Sequence, residues 1–304
     1  MPGIVTHYTF GTDVHASLAE VIGESQAARD AFLLGNQGPD PFFYLWATPM
    51  MRELRYIGQT MHRQKVSELL SSLHDHLVDG PCKAYALGFL CHFFLDSTVH
   101  PLVLAQERAI CGAGIERLSG VWAHRVTHAT IETEIDEYIL TTKHGATAAT
   151  LPPHKTMLCC PAETLADVSR GYAKAFCETY GLDAPETAFS TAVSIYRIAQ
   201  QALDSRSCGL RRRFDYLGWA GMPSAYAQAL SLRPEPRSST PFANDDHTPW
   251  ENPSAGGEPV SESFGELYAR ALAHAIEVLP AYADPSFDLE ACRKLVGDVN
   301  FLGQ

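Results

Sequence analysis

The sequence predicts an all-α protein, a multi-helix bundle, and two observations lead there. Apolar residues recur at three- and four-residue intervals along nearly the whole chain, the period of a helix with one buried face. Alternating apolar and polar segments bounded by tight turns, the mark of strands, are hard to find. The composition fits a folded chain: 46% of the 304 residues are hydrophobic and 19% charged, without the low hydrophobicity of disorder.

In chain order, the first break is Leu34-Gly35-Asn36-Gln37-Gly38-Pro39-Asp40-Pro41. Its two glycines and two prolines must end one helix in a loop. Val66, Leu69, Leu70, Leu73 and Leu77 then mark an amphipathic helix, with His62 placed at its start in Gln59-Thr60-Met61-His62. From Ala84 to about Leu104 runs a strongly apolar segment containing Leu87, Phe89, Leu90, Phe93, Phe94 and Leu95. Val126, Ile131, Ile135 and Ile139 share a stripe on a helix expected from Val121 to Leu140. Helical patterns return at 161–180, 187–204, 261–280 and 287–298. Between them, residues 232–259 are rich in Pro, Ser, Gly and Asn and form a long loop. Trp250 within it either pins the loop to the bundle or, with His247, offers an aromatic wall to a cleft. The expectation is one helical domain over 1–304.

Charge and cysteine usage narrow the function classes. A net charge of -12 argues against a constitutive nucleic-acid partner, because phosphate backbones attract basic surfaces. Arg211-Arg212-Arg213 is too short a run to reverse this. Acidity leaves phosphate substrates open, since bound divalent cations invert the local field. The start MPGIVTHYTFGTDVHASLAEV has no basic region, continuous apolar run or small-residue cleavage site, so no signal peptide is expected. No stretch is expected to reach the apolar length of a transmembrane span. The eight cysteines at 82, 91, 111, 159, 160, 177, 208 and 292 are then read as thiols in a reducing cytoplasm. Cys159-Cys160 could bind a soft metal or be two inert thiols.

Most of the chemistry-bearing signal lies in residues 1–140. In His92-Phe-Phe-Leu-Asp96-Ser-Thr-Val-His100, each i,i+4 step drifts by only about 40° around a helix. Three ionisable groups therefore line one face of an otherwise apolar helix. Burying them is costly without neutralisation, and imidazole with carboxylate suits zinc; the alternative is an interhelical hydrogen-bond network. His128-Ala-Thr-Ile-Glu132 puts a second His–carboxylate pair one turn apart, with His124 a turn before and Asp136 a turn after. Facing helices that each give such a pair are how bundles build metal sites. Asp40 closes the Gly/Pro loop as a ligand, a base or a helix N-cap before Pro41. His7 stands near the start. His15, His74, His76, His144, His154 and His274 are read as ordinary surface or core residues.

His7, Gly35-Asn-Gln-Gly-Pro-Asp40, Met61-His62, His92-xxx-Asp96, His100 and His128-xxx-Glu132 occur in the order found in zinc-dependent phospholipase C proteins. The chain resembles their bacterial, signal-less relatives, whose fold is shared with fungal zinc-dependent single-strand nucleases. A fainter echo lies at Asp245-Asp246-His247-Thr-Pro-Trp250 and Ser263-Phe264. The resemblance implies zinc ions in a cleft of a helical bundle. Asp40, His62, His92 and Asp96 would hold one. His100, His128 and Glu132 would hold a second, and His7 with a bridging Asp96 a third. The secreted enzymes complete the third site with an N-terminal tryptophan, which Met1-Pro2-Gly3 lacks, so the expected count is two or three. The HxxxDxxxH spacing is also tighter than theirs.

The implied chemistry is hydrolysis of a phosphate ester, by a hydroxide that clustered zinc generates near neutral pH and that attacks phosphorus. Asp40, the implied catalytic residue, would orient or deprotonate the attacking water. The substrate would be a small phosphoester or a phospholipid head group. Two other readings compete: a non-catalytic zinc-stabilised helical module that binds a lipid, nucleotide or protein, and an HD-type phosphohydrolase built on His74-Asp75.

Overall fold

Twelve α-helices, three 3-10 turns and no strand make up the described part of the computed structural model, which covers residues 3–47, 49–114, 120–204, 224–254, 256, 258–297 and 299–304. Cys208 and Arg211–Arg213 lie outside the described residues. The helices are α1 (Ile4–Ile22), α2 (Gln26–Gly35), α3 (Ile57–Arg63), α4 (Val66–His76), α5 (Gly80–Gly112) and α6 (Val121–Thr142). They continue with α7 (Pro153–Thr156), α8 (Ala162–Tyr180), α9 (Ala188–Leu203), α10 (Ser224–Ala229), α11 (Phe264–Tyr282) and α12 (Leu289–Val296). Two of the 3-10 turns, Asp40–Ala47 and Pro49–Leu54, join α2 to α3.

The 33-residue α5 organises the rest, with α1, α2, α4, α6, α8 and α11 all packed against it. It also corrects one expectation, for it is long and apolar enough to cross a bilayer. Of its most apolar window, 83% is buried against other helices. Its apolarity therefore serves a core position, since a helix packed on all sides is apolar all round. Pro101 lies inside it and removes the N–H that the Ser97 carbonyl would accept. The chain terminus packs over that point: a Cβ at Gly303 would fall 2.6 Å from the Ser97 oxygen and 2.8 Å from the Pro101 ring.

The glycines of the loop before Asp40 have two separate causes. At Gly35 a Cβ would lie 2.2 Å from the Tyr85 carbonyl oxygen, and at Gly88 2.1 Å from that of Phe32. The two bare backbones let α2 lie directly on α5. Gly38 has φ +51°, and a Cβ there would meet the His92 ring at 2.4 Å. Only glycine both adopts that backbone and leaves room for the imidazole.

The position of His62 differs from the sequence reading. It is near the end of α3, a helix of its own, and not at the start of α4. Gln64 is extended and Lys65 left-handed (φ 56°), so the chain breaks and turns before the amphipathic stripe begins. α1, which carries His7, is held by α6. Asp136 accepts hydrogen bonds from the backbone N–H groups of Val5 (3.0 Å) and Thr6 (2.8 Å) and from the Thr6 hydroxyl (2.6 Å). A carboxylate there satisfies first-turn donors that have no helical partner.

The long loop is tethered at several points. Arg233 Nε donates to Glu137 at 2.7 Å and the Thr240 hydroxyl to Glu134 at 3.0 Å. The Trp250 indole N–H donates to the Glu262 carbonyl at 3.0 Å, and Trp250 and Val260 form an isolated antiparallel bridge. Trp250 thus works as a pin. Half-exposed His247 bonds the Ser261 carbonyl and faces Glu266. Ser263 then opens α11 with a reciprocal capping box to Glu266. One apolar cluster extends from Ile4 to Phe301. The described cysteines (82, 91, 111, 159, 160, 177 and 292) are free thiols.

Candidate metal centre

Three groups of side chains lie where α1, the Asp40 turn, α3, α5 and α6 converge. They are His7 with His92 and Asp96, Asp40 with His62 and His92, and His100 with His128 and Glu132; within each, ligand atoms lie within 4.8 Å of one another. All eight residues singled out in the sequence fall in these groups. His92 belongs to two of them, and Asp96 is the hub. Its Oδ1 lies 3.2 Å from His7 Nε2, and its Oδ2 lies 3.1 Å from His92 Nε2 and 3.8 Å from His62 Nε2. His100 faces the same oxygen at 3.7 Å through Nδ1, the side of the ring turned away from the third group.

Each element delivers its residue for a local reason. Helical spacing aligns His92, Asp96 and His100 on α5, and the bare Gly38 lets the Asp40 turn close over the His92 ring. Asp40 Oδ1 then reaches His62 Nε2 at 3.3 Å and His92 Nε2 at 3.7 Å. The His7 ring stacks on His92 with centroids 3.9 Å apart.

The far nitrogen of four rings is anchored on an atom that can only accept. His62 Nδ1 is 2.6 Å from the Gly58 carbonyl, His92 Nδ1 3.0 Å from that of Asn36, and His100 Nδ1 2.8 Å from that of Phe301. His128 Nδ1 is 2.7 Å from Glu107 Oε2. Neither a carbonyl nor an ionised carboxylate donates, so each Nδ1 bears the hydrogen. In the neutral ring Nε2 is then a lone pair aimed into the cluster, the tautomer a metal ligand needs.

This donor set fits a cation. The nitrogens of His7, Nε2 of His62 and His92, Asp40 Oδ1 and both oxygens of Asp96 are buried without a hydrogen-bond partner. So many converging buried polar atoms are costly unless a positive charge satisfies them. Without a cation, protons do part of that work. Burial pushes His92 down, but the Asp96 and Asp40 carboxylates outweigh it and hold the ring above its ordinary value. Burial would raise Asp96, yet His92 and His100 hold it well below the usual carboxylate range. Burial takes His7 down, helped by His92, and takes His100 down to about 3. Glu132 drops to about 2, as His128 overcomes the effect of burial. Burial pushes Asp136 up to about 7, against the pull of its Thr6 and Val5 donors. A divalent ion competes with such protons for the same lone pairs.

Several participants were not found from the sequence. Glu107 falls seven residues after His100, on the same face of α5, and that spacing was its available signal. The Gly58, Asn36 and Phe301 carbonyls have none, because every residue offers one. Phe301 also packs its ring against His62 and His92, at 5.2 and 5.6 Å. The chain terminus therefore forms part of a centre whose ligand candidates all lie in residues 7–132. His74-Asp75 joins no such group among the described residues. His74 packs on Tyr282 and faces the Asp284 carbonyl, and Asp75 is exposed, so the HD-type reading has no geometric support.

A family model described as zinc dependent phospholipase C matches residues 6–178, more than half of the chain and past the 1–140 range of the motifs. No curated protein and no solved structure matches.

Proposed function

Because this chain belongs to the zinc-dependent phospholipase C family, we propose that it is a zinc-dependent hydrolase of phosphate esters. The substrate is a small phosphodiester or phosphomonoester, or a phospholipid head group. The observation that carries the reading is the convergence of orphaned imidazole and carboxylate atoms from four separated segments. The ligands are His7, Asp40, His62, His92, Asp96, His100, His128 and Glu132, and they hold two or three ions. The net charge of -12 disfavours a nucleic-acid partner.

Zinc, when bound, supplies Lewis acidity toward water and toward a phosphoryl oxygen. The chain's own groups do the remaining work. The Nδ1 anchors of His62, His92, His100 and His128 hold those rings with Nε2 inward, and burial keeps competing water from all the imidazoles but part-exposed His128. Asp96, shared among the groups, fixes their spacing. Asp40, on a turn braced by Gly38 and Pro41, orients the attacking water and takes its proton.

The test is turnover of a nitrophenyl phosphodiester by zinc-loaded protein. Asp40→Asn is expected to cut turnover per bound zinc by roughly 10²–10⁴-fold, the scale of a general base, while helicity persists; zinc is counted in the same samples because Asp40 is also a ligand. A fully metallated wild-type chain that turns over nothing on a broad phosphoester panel contradicts the hydrolase reading. It would leave a zinc-stabilised binding module.

A further inference from the structure

Of the four anchored imidazoles, His128 alone rests on a side chain. Its partner Glu107 has a second obligation: Oε2 accepts from His128 Nδ1 at 2.7 Å, and Oε1 accepts from His124 Nδ1 at 2.7 Å. One carboxylate on α5 thus clamps two imidazoles one turn apart on α6. Both of its oxygens are engaged, so it cannot rotate without losing a bond. Glu107 is largely buried, while the His124 side chain is 54% exposed. On the inner side His128 Nε2 lies 2.8 Å from Glu132 Oε1.

We infer that Glu107, braced by His124, is a positioning residue that makes His128 the adjustable ligand of the His100–His128–Glu132 group. The inference rests on the metal reading and goes beyond it in naming which ion is tuned and by what. A carbonyl anchor fixes a tautomer. A carboxylate anchor also shares negative charge with the ring and makes Nε2 a stronger donor. His124 supplies the brace and never touches the ion. Glu107→Gln keeps an acceptor for His128 but removes the charge and one of the two bonds, and His124→Gln frees the carboxylate to turn.

The experiment measures zinc binding by the purified full chain against a chromogenic chelator, with Co2+ absorption as a signature of the ligand set. Wild type is expected to hold at least two ions. Glu107→Gln should loosen one of them by about 10–100-fold, the scale of lost outer partners, and change the Co2+ spectrum of that ion only. His124→Gln should loosen the same ion by less. The melting temperature of metal-free protein separates this from a structural role: it should stay near wild type while the zinc-dependent gain in melting temperature shrinks. Equal zinc affinity and an equal Co2+ spectrum in Glu107→Gln overturn the inference alone. A wild-type chain that holds no zinc overturns it together with the metal reading.

Discussion

The inner and outer parts of the centre are built differently. His7, Asp40, His62, His92 and Asp96 come from α1, the Asp40 turn, α3 and α5, and none is more than 3% exposed. His62 and His92 are anchored on backbone carbonyls. His100, His128 and Glu132 come from α5 and α6, the His128 side chain is 22% exposed, and its anchor is the carboxylate of Glu107. Two of the three inner imidazoles are thus held by main chain that no single substitution deletes. In the outer part buried His100 shares that kind of anchor on the Phe301 carbonyl, whereas His128 depends on a side chain and has an edge toward solvent. A fold can thus place one metal group rigidly in its core and leave its neighbour open to tuning.

Asp96 tests the comparison most severely, because its two oxygens face all three inner imidazoles. Asp96→Ala should strip the inner part of its metal and lower phosphodiester turnover roughly a thousandfold, the scale of losing electrostatic stabilisation in a buried site. Metal analysis after dialysis checks it, and retention of the inner ion would break the idea of a shared hub.

Gly38→Ala should wound only the inner part. Its Cβ would strike the His92 ring, and φ +51° is strained for alanine. A loss of about 2–3 kcal/mol is expected in chemical denaturation, with the Co2+ signature of the outer group unchanged. Wild-type stability would show that the turn relaxes and is no brace.

The smallest effect is the pH slope of metal-free protein. His100 has its folded pKa lowered from 6.5 to about 3, so the unfolded chain binds more protons between those values. Its contribution is fully present above about 6.5 and declines as pH falls toward 3. Glu132, lowered to about 2 from 4.5, adds a loss that begins near 4.5. Each group gives a slope of at most about 1.4 kcal/mol per pH unit. Urea titrations at pH 7, 5.5 and 4 would measure it, and flat stability would mean that His100 is hydrated when no metal is bound.

Much of this was legible in the residues. Helices α4, α6, α8, α9, α11 and α12 fall within a few residues of their periodic stripes, and α5 runs past its stripe at both ends. The i,i+4 sets on α5 and α6 were visible because a helix converts sequence spacing directly into a shared face. α1 was missed as an element, although it carries His7, and His62 was attached to the wrong helix. A left-handed Lys65 leaves little trace in the residue types around it. The loop before Asp40 was read correctly, but not that its two glycines also admit Tyr85 and His92, partners some fifty residues away.

By itself, then, the sequence determined the helical class, the apolar character of α5 and which imidazoles and carboxylates share a helical face. All of these follow from periods of a few residues. Tertiary structure decided which faces meet, which nitrogen of each histidine is left to bind, and that Glu107 and the Phe301 carbonyl belong to the centre. Those outcomes depend on contacts between segments as far apart as His100 and Phe301, and on backbone carbonyls that are chemically alike at every position. Only packing can select among groups that the sequence makes equivalent.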